Sequence, residues 1–215
     1  MKSRLAELFS PSARAELEGR LQAFIEPRRW FRSKTRAVAS ASLASLVALP
    51  VEGKEVFLTV MRVIYEVGPD EEYVVPLTWV IDDTLPRTKP QLVVGAVTVE
   101  GEERPRWLID ALGEPHALEA ILALAVRGAV VPAEGCELAF RRVGDGLHAV
   151  AEPRPLETEQ SNTSVIFGND CILKVVRKLD VGRAPDLEMG EQLTRAGYAN
   201  TPRLLAAIEL ARGAD

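Results

Sequence analysis

Apolar and polar positions along the first part of the chain predict one helix followed by strands. Ser10 and Pro11 suit a helix start, with serine as the cap and proline at the first helical position. The apolar residues that follow recur at helical spacing, at Leu17, Leu21, Phe24 and Ile25. The pattern therefore predicts an amphipathic helix that ends before Pro27.

Three β-like runs come next, at 38–49, 55–67 and 73–81. The second and third are separated by Gly68, Pro69, Asp70 and Glu71, which is a clear turn signal. One helix packed against an antiparallel meander makes a compact α+β unit. We therefore expect the α+β fold class.

A break in this periodicity at 82–90, with prolines at 86 and 90, indicates a domain boundary. This divides the chain into an expected first domain at 1–90 and a second at 91–215. The second begins with a strand at 92–99 and a helix from Pro115 to about Gly128. Further strand-like runs lie at 137–143 and 147–151.

A β-hairpin is predicted from two short runs, 164–167 and 171–176, joined by three turn-forming residues at 168–170. Alternation along the second run places Ile172, Lys174 and Val176 on one face of the sheet. A helix is predicted to open at Pro185 and to end near Gly197.

Lys174 is the most informative residue, because it is a cation within a run that otherwise reads as a buried strand. An unpaired buried charge is costly, so Lys174 needs an anionic partner. Glu188, near the start of the predicted helix, is one candidate. The other is an anionic ligand held by the small polar segment before the hairpin, which comprises Gln160, Ser161, Asn162, Thr163 and Ser164.

This order of a polar turn, a strand, a lysine and a helix glutamate suits the binding of nucleotide phosphates. Backbone amides and hydroxyls of the polar segment would donate to phosphate oxygens. Lys174 would add a point charge, Glu188 would orient it, and Ile172 on the same face would cover one side of the adenine. The structural alternative is a lysine that extends to water beside a glutamate that only favours the helix dipole.

Composition excludes several classes of function. The chain has 215 residues, 47% of them hydrophobic, and a net charge of −5, which argues against nucleic acid as a partner. No signal-peptide core and no apolar run of membrane-spanning length occurs, so we expect a cytoplasmic protein with no membrane partner. Cys136 and Cys171 are expected to be buried thiols, and His116 and His148 lack metal-ligand spacing, so no metal site is expected.

Several segments resemble bacterial maltokinases. The segment 159–168, followed by Leu173, Lys174 and 177–179, looks like the nucleotide-binding part of that family. Similar likenesses extend over 182–189 and the nearby residues Leu193, Thr194 and 200–202. Toward the N-terminus, Trp30, Phe31, Lys34 and Arg36 resemble the family's Trp-Phe-x-x-Lys-x-Arg signature, and 73–77 resembles another family segment.

The resemblance implies a fold like that of protein kinases and aminoglycoside phosphotransferases, with an added N-terminal cap at 1–90 and an ATP-binding N-lobe within 91–215. It also implies ATP and Mg²⁺ as cofactors and maltose, or a related sugar, as the substrate that becomes maltose 1-phosphate for α-glucan synthesis. Some members of the family are fused to trehalose synthase. By this likeness Lys174 binds phosphates, Glu188 is its ion-pair partner, and Gln160 to Ser164 cover the phosphates.

The catalytic residues of the family lie in a C-lobe that we do not find in these 215 residues. Phosphoryl transfer needs an aspartate at the acceptor hydroxyl and Asp or Asn ligands for magnesium, yet after Asp186 the only aspartate is Asp215. We therefore expect no catalytic residue in this chain, no kinase activity from it alone, and weak or no ATP binding. The alternative is a short non-catalytic binding or regulatory module with a kinase-like N-lobe.

Overall fold

The computed structural model describes residues 9–98, 103–149, 152–156 and 161–213. The first helix, α1 (Pro11–Ile25), starts after Ser10 as predicted. The four apolar residues at helical spacing are all buried, as predicted: Leu17, Leu21, Phe24 and Ile25. They pack against a sheet that begins with β1 (Val38–Leu49), β2 (Val56–Tyr65) and β3 (Glu71–Val80). The predicted helix and antiparallel meander are therefore confirmed.

This first sheet has six strands and contains more of the chain than the meander alone. Its order is β1-β2-β3-β5-β4, with β4 (Val93–Val97) and β5 (Arg106–Asp110) following the meander. The short strand β11 (Lys178–Leu179) pairs antiparallel with β3, through Lys178 opposite Tyr73. The expected division at residue 90 stays a prediction, and in this structure residue 90 lies between two strands of one sheet.

The sequence suggests an irregular connection at 82–90, but this connection is partly helical. It contains α2 (Leu85–Thr88), and a 3-10 helix at Pro90–Leu92 follows it. Asp82 accepts hydrogen bonds from the backbone amide (2.9 Å) and the hydroxyl (2.7 Å) of Thr84. This local bonding, together with the prolines, favours a tight turn over an extended linker.

The second part of the chain forms two three-stranded sheets. One has the order β12-β7-β6, from β6 (Val130–Ala133), β7 (Cys136–Arg142) and β12 (Ala206–Arg212). The other has the order β10-β9-β8, from β8 (Pro153–Pro155), β9 (Asn162–Phe167) and β10 (Cys171–Val176). The predicted strand at 147–151 is not seen at 147–149, and 150–151 lie outside the described residues.

Two further helices complete the fold. After a 3-10 helix at Ala111–Gly113, α3 (Pro115–Arg127) ends at Gly128, which has a φ of 61° and so takes the left-handed conformation common after helices. The last helix is α4 (Pro185–Arg195). Both helices agree with the prolines and glycines that predicted their ends. In the described part of the chain, no helix is long and apolar enough to cross a membrane.

Two hydrophobic cores result. The first lies between α1 and the six-stranded sheet. The second contains α3 and the inner faces of the two smaller sheets. Val165 and Phe167 of β9 are buried in the second core, while Leu173 and Val175 of β10 are packed at its edge. One face of the hairpin β9–β10 is therefore covered by the second core, and the other face is open to solvent.

Candidate functional site

The open face of the β9–β10 hairpin carries three of the residues proposed for phosphate contact, Asn162, Ser164 and Lys174. In the antiparallel register Lys174 lies opposite Ser164, Ile172 opposite Ile166, and Val176 opposite Asn162. Residues directly opposite each other point to the same side of a sheet. The side-chain alternation predicted along 171–176 is therefore confirmed, with Ile172 64% exposed.

Lys174 is not buried, which corrects the premise that first singled it out. Its side chain is 50% exposed. The strand looked buried because every other residue of β10 packs on the second core, while the intervening residues, including two aliphatic ones, face outward. The cation therefore lies on an open, partly apolar surface.

The acidic partner of Lys174 is Asp186 and not Glu188. The Lys174 ammonium donates to the Asp186 carboxylate at 2.9 Å. This hydrogen bond, together with the positive charge, holds the pKa of Asp186 below its usual value. Both acids lie in the first turn of α4, but Glu188 is exposed and has no ion-pair partner among the described residues. The expected pairing of a strand lysine with a helix acid is present, two residues earlier than expected.

Most of the described residues in the polar segment at 160–164 belong to a strand and not to a turn. Gln160 lies outside the described residues, and Ser161 lies at a bend. Asn162, Thr163 and Ser164 already belong to strand β9 and pair with β10. A phosphate-covering turn, as expected from the sequence, is therefore confined to residues before Asn162.

Thr163 lies on the face opposite Lys174, so its hydroxyl does not point with that of Ser164. The Thr163 hydroxyl accepts a hydrogen bond from the Arg177 Nε at 2.8 Å. Direct phosphate contact by Thr163 is therefore not favoured by this geometry. Of the polar segment, Asn162 and Ser164 share the Lys174 face.

Arg177 is a residue that sequence reasoning missed. It follows β10 directly, is only 2% exposed, and is the largest of the fully buried side chains in the described part of the chain. Its guanidinium forms an ion pair with Asp110 and also donates to the carbonyl of Val74 at 3.2 Å. The only signal in the sequence was an arginine at the end of a strand, and nothing local indicated partners so far away along the chain.

Helix α4 is held by charges more than by apolar contacts. Glu191 is 3% exposed, and its carboxylate accepts from Arg141 at 2.9 Å and from Arg183 at 2.6 Å. Arg195, one turn further along the helix, also donates to Glu191. Hydrogen bonds from Arg183 and Arg141 keep the pKa of Glu191 below its ordinary value. The network fixes α4 on β7, and with it the position of Asp186.

The half-buried carboxylate of Glu71 explains much of the Trp-Phe-x-x-Lys-x-Arg signature. Trp30 and Phe31 are buried and pack on the ring of Tyr73. Arg36 lies 3.6 Å above the centre of the Tyr65 ring and 3.5 Å from the Glu71 carboxylate. The signature therefore joins the segment after α1 to the sheet through its aromatic rings and the Arg36 guanidinium.

Lys34 of the signature has a smaller part in this arrangement. Its ammonium donates to the carbonyl of Pro27 at 3.2 Å, where the chain leaves α1.

A groove of about 1400 Å³ borders the hairpin on the side of its turn. Its lining includes Ile172, Arg154 and Asp170 of the hairpin sheet, and Tyr198 and Arg203 beyond α4. Lys174 and Ser164 are not part of the lining, so the groove is not itself the surface proposed for phosphate contact. Arg154, Ile166 and Ile172 lie opposite one another on the Lys174 face and also line the groove.

The residues present fit a phosphate group in part. Lys174 supplies an exposed cation, Ser164 a hydroxyl opposite it, and Ile172 an adjacent aliphatic surface. In the described part of the chain there is no cluster of three His, Cys, Asp or Glu residues that could hold a metal ion. The arrangement can therefore bind an anion, and the described residues do not assemble a metal site.

Residues 24–113 match the family model of the maltokinase N-terminal cap domain. The matched region runs from the end of α1 through β5 to the 3-10 helix that ends at Gly113. It contains the whole Trp30 to Arg36 signature and the Tyr73 segment. The match covers less than half of the 215 residues, and it supports the maltokinase family for the part of the chain that was expected to form the cap.

The region that matches the maltokinase cap model contains five of the six strands of the first sheet. The exception is β11, which lies outside the matched region but pairs with β3. The matched region is therefore in direct contact with the segment that follows Lys174.

Proposed function

We propose that this protein acts in the ATP-dependent phosphorylation of maltose or a related sugar, as the N-terminal part of a maltokinase-like kinase. The observation that carries this proposal is the match of residues 24–113 to the maltokinase cap. It is supported by a strand lysine that is paired with an acid at the start of a helix, on an open sheet face.

In this proposal Lys174 and its neighbours bind the nucleotide. The Lys174 ammonium contacts phosphate oxygens, with Ser164 donating its hydroxyl from the opposite strand. Gln160, Ser161 and Asn162 lie at or before the start of β9 and cover the phosphates from that side. Bound ATP supplies the phosphoryl group that is transferred to the sugar.

Asp186 has the role that was first assigned to Glu188. Its carboxylate orients the Lys174 ammonium, and the Glu191 network keeps the helix start in place. Glu188 is proposed as a second acid in the same turn. Ile172, which joins the Lys174 face to the groove, is placed to cover one side of the adenine ring.

Titration of the isotope-labelled 215-residue chain with ATP, followed by amide chemical shifts, tests the binding role directly. We expect shifts along β9, β10 and the first turn of α4. Lys174→Ala should weaken binding by roughly tenfold or more, because a charge-assisted contact is worth about 1.5–3 kcal/mol. Lys89→Ala, at an exposed lysine outside the hairpin, removes the same charge and should leave binding unchanged. Equal ATP binding by Lys174→Ala and the unaltered chain would exclude the proposed contact.

A second candidate function is a non-catalytic binding or regulatory module. The observation that favours it is exposure, because the side chains of Lys174 and Asp186 are 50% and 82% exposed. Surface pairs of this kind are common and contribute about 0–1 kcal/mol. Asp186→Asn separates the two: it should change ATP affinity if the pair serves a nucleotide and leave it unchanged in a module of this kind.

The expectation that these 215 residues alone do not transfer phosphate has its own test. Incubation with ATP, Mg²⁺ and maltose should yield no maltose 1-phosphate. Formation of that product by the 215-residue chain would overturn this part of the proposal.

A further inference from the structure

Arg177 links the hairpin to three places on or beside the six-stranded sheet, which is called the cap sheet below. Its guanidinium donates to Thr163 on β9 at 2.8 Å, to the Val74 carbonyl on β3 at 3.2 Å, and to the carboxylate of Asp110 at the end of β5. It also lies 5.0 Å from the centre of the Trp30 ring. One buried side chain therefore contacts β9, β3, β5 and the segment after α1.

These contacts are costly to break because they are buried. The side chains of Arg177 and Asp110 are 2% and 6% exposed. Removing either member of a buried ion pair leaves an unpaired charge in a low-dielectric setting, which is far more costly than breaking a surface pair. Asp110 has a further bond, since its other oxygen accepts from the Leu112 amide at 3.0 Å. The arginine therefore lies against a rigid partner.

The backbone strengthens the same connection. The Val74 amide donates to the Arg177 carbonyl at 2.7 Å, and Lys178 and Leu179 continue as a strand of the cap sheet. Lys174 is only three residues before Arg177. At about 3.3 Å per residue in a strand, its Cα lies roughly 10 Å from that of Arg177.

We propose that Arg177 is a positioning residue through which the cap sets the geometry of the Lys174 phosphate-contact face; the proposal rests on the nucleotide-binding role given above. Arg177 holds Thr163 on the covered side of β9. Thr163 is the neighbour in sequence of Ser164, and it pairs across the hairpin with Val175, the neighbour of Lys174. Fixing Thr163 therefore fixes the register and tilt of the strands that present Ser164 and Lys174.

Thr163→Val tests this without removing a buried charge. Valine keeps the β-branched shape but cannot accept from Arg177 Nε, whereas Thr163→Ser keeps the hydroxyl. Thr88→Val makes the same chemical change at an exposed threonine outside the hairpin. Two readouts are compared among the four proteins: ATP affinity from amide shifts, and amide hydrogen exchange across β9 and β10.

We expect Thr163→Val to weaken ATP binding by about fivefold, the effect of losing one charge-assisted hydrogen bond. Hydrogen exchange in β9 and β10 should become faster in the same variant. Thr163→Ser should recover most of both effects, and Thr88→Val should show neither. A Thr163→Val protein with unchanged exchange and unchanged ATP affinity would overturn the proposal.

The failure of this inference differs from the failure of the proposed function. If Lys174→Ala loses ATP binding but Thr163→Val does not, the nucleotide role stands and the positioning role is wrong. If no variant changes ATP binding but Thr163→Val speeds exchange at Lys174 and Ser164, the mechanical link stands and the nucleotide role is wrong.

Discussion

Glu71 offers the sharpest quantitative test of this structure. Its carboxylate accepts hydrogen bonds from four side chains and is only 9% exposed. The bonds come from the Tyr73 hydroxyl at 2.6 Å, the Tyr65 hydroxyl at 2.8 Å, the Ser33 hydroxyl at 2.9 Å and the Lys178 ammonium at 2.9 Å. Glu71→Gln keeps the shape of the side chain and removes its charge.

The pKa of Glu71 shows the size of the effect. Burial by itself would raise this pKa, but the hydrogen bonds from Tyr73, Lys178, Tyr65 and Ser33 outweigh burial and lower it from 4.5 to about 2. Such a shift corresponds to about 3 kcal/mol. Solvent screening near the surface reduces the expected contribution to about 1–2 kcal/mol.

The direction of the pH dependence follows from the lowered pKa. The folded chain binds this proton more weakly than the unfolded chain does, so the stabilisation is fully present above about pH 4.5. It is lost as the pH falls from there toward about 2. Tyr73 responds in the opposite sense, because burial and its hydrogen bond to Glu71 raise the pKa of its hydroxyl and keep it protonated.

Urea unfolding of the protein and of Glu71→Gln, at pH values from about 7 down to about 2, is the assay. At about pH 7 we expect Glu71→Gln to lower the free energy of unfolding by about 1–2 kcal/mol, or the melting temperature by about 2–8 °C. The difference should shrink as the pH falls below 4.5. Glu66→Gln is the matched control, because Glu66 is exposed on the same connection and should change stability little. A Glu71→Gln protein as stable as the control at about pH 7 would refute the reasoning.

Three further substitutions test the second part of the chain. Gly190→Ala should raise the free energy of unfolding by about 0.5–1 kcal/mol, because alanine favours a helix and its Cβ would meet Leu204 at an ordinary 3.7 Å. Urea unfolding measures this free energy, and a loss of stability would contradict the prediction. Gly144→Ala should destabilise, since its Cβ would lie 2.9 Å from the Leu204 carbonyl oxygen; a melting temperature equal to that of the unaltered chain would count against this contact. Glu191→Gln should speed amide hydrogen exchange in α4. The difference from the unaltered chain should fade at acidic pH, as the Glu191 carboxylate, whose pKa is lowered, becomes protonated. Unchanged exchange would show that the arginine network does not hold the helix.

The first half of the fold was predictable because its signals are local. The helical spacing from Leu17 to Ile25 and the turn at 68–71 fix α1 and the meander without reference to distant residues. The same holds for the hairpin β9–β10, where turn residues and alternation predicted which side chains share a face. The sequence did not show which face of the hairpin is buried, because burial depends on the elements that pack against each face.

Two of the strands that were missed, β6 and β8, are short and contain prolines, whereas β11 and β12 contain none. β6 includes Pro132, and β8 begins and ends with Pro153 and Pro155. Proline lowers the strand signal because it cannot donate to a ladder. Pairing with β7 and β9 decides these strands, and that information is not local.

The partners of Lys174 and Arg177 could not be read for a related reason. Asp186 and Glu188 lie in one helical turn, and the sequence does not say which of them faces the lysine. Arg177 and Asp110 are 67 residues apart, and the pairing of β3 with both β11 and β5 brings them together. Charged residues that pair across the fold carry no periodic signal.

The prolines of β6 and β8 also affect how this molecule meets its neighbours in concentrated solution. Each of these strands lies at the outer edge of its three-stranded sheet, where a foreign strand would otherwise find a row of free donors and acceptors. Proline lacks the amide donor, so these two borders resist intermolecular β-pairing and the aggregation that follows from it. The opposite borders, β10 and β12, contain no proline, and self-association through strand addition should therefore begin there.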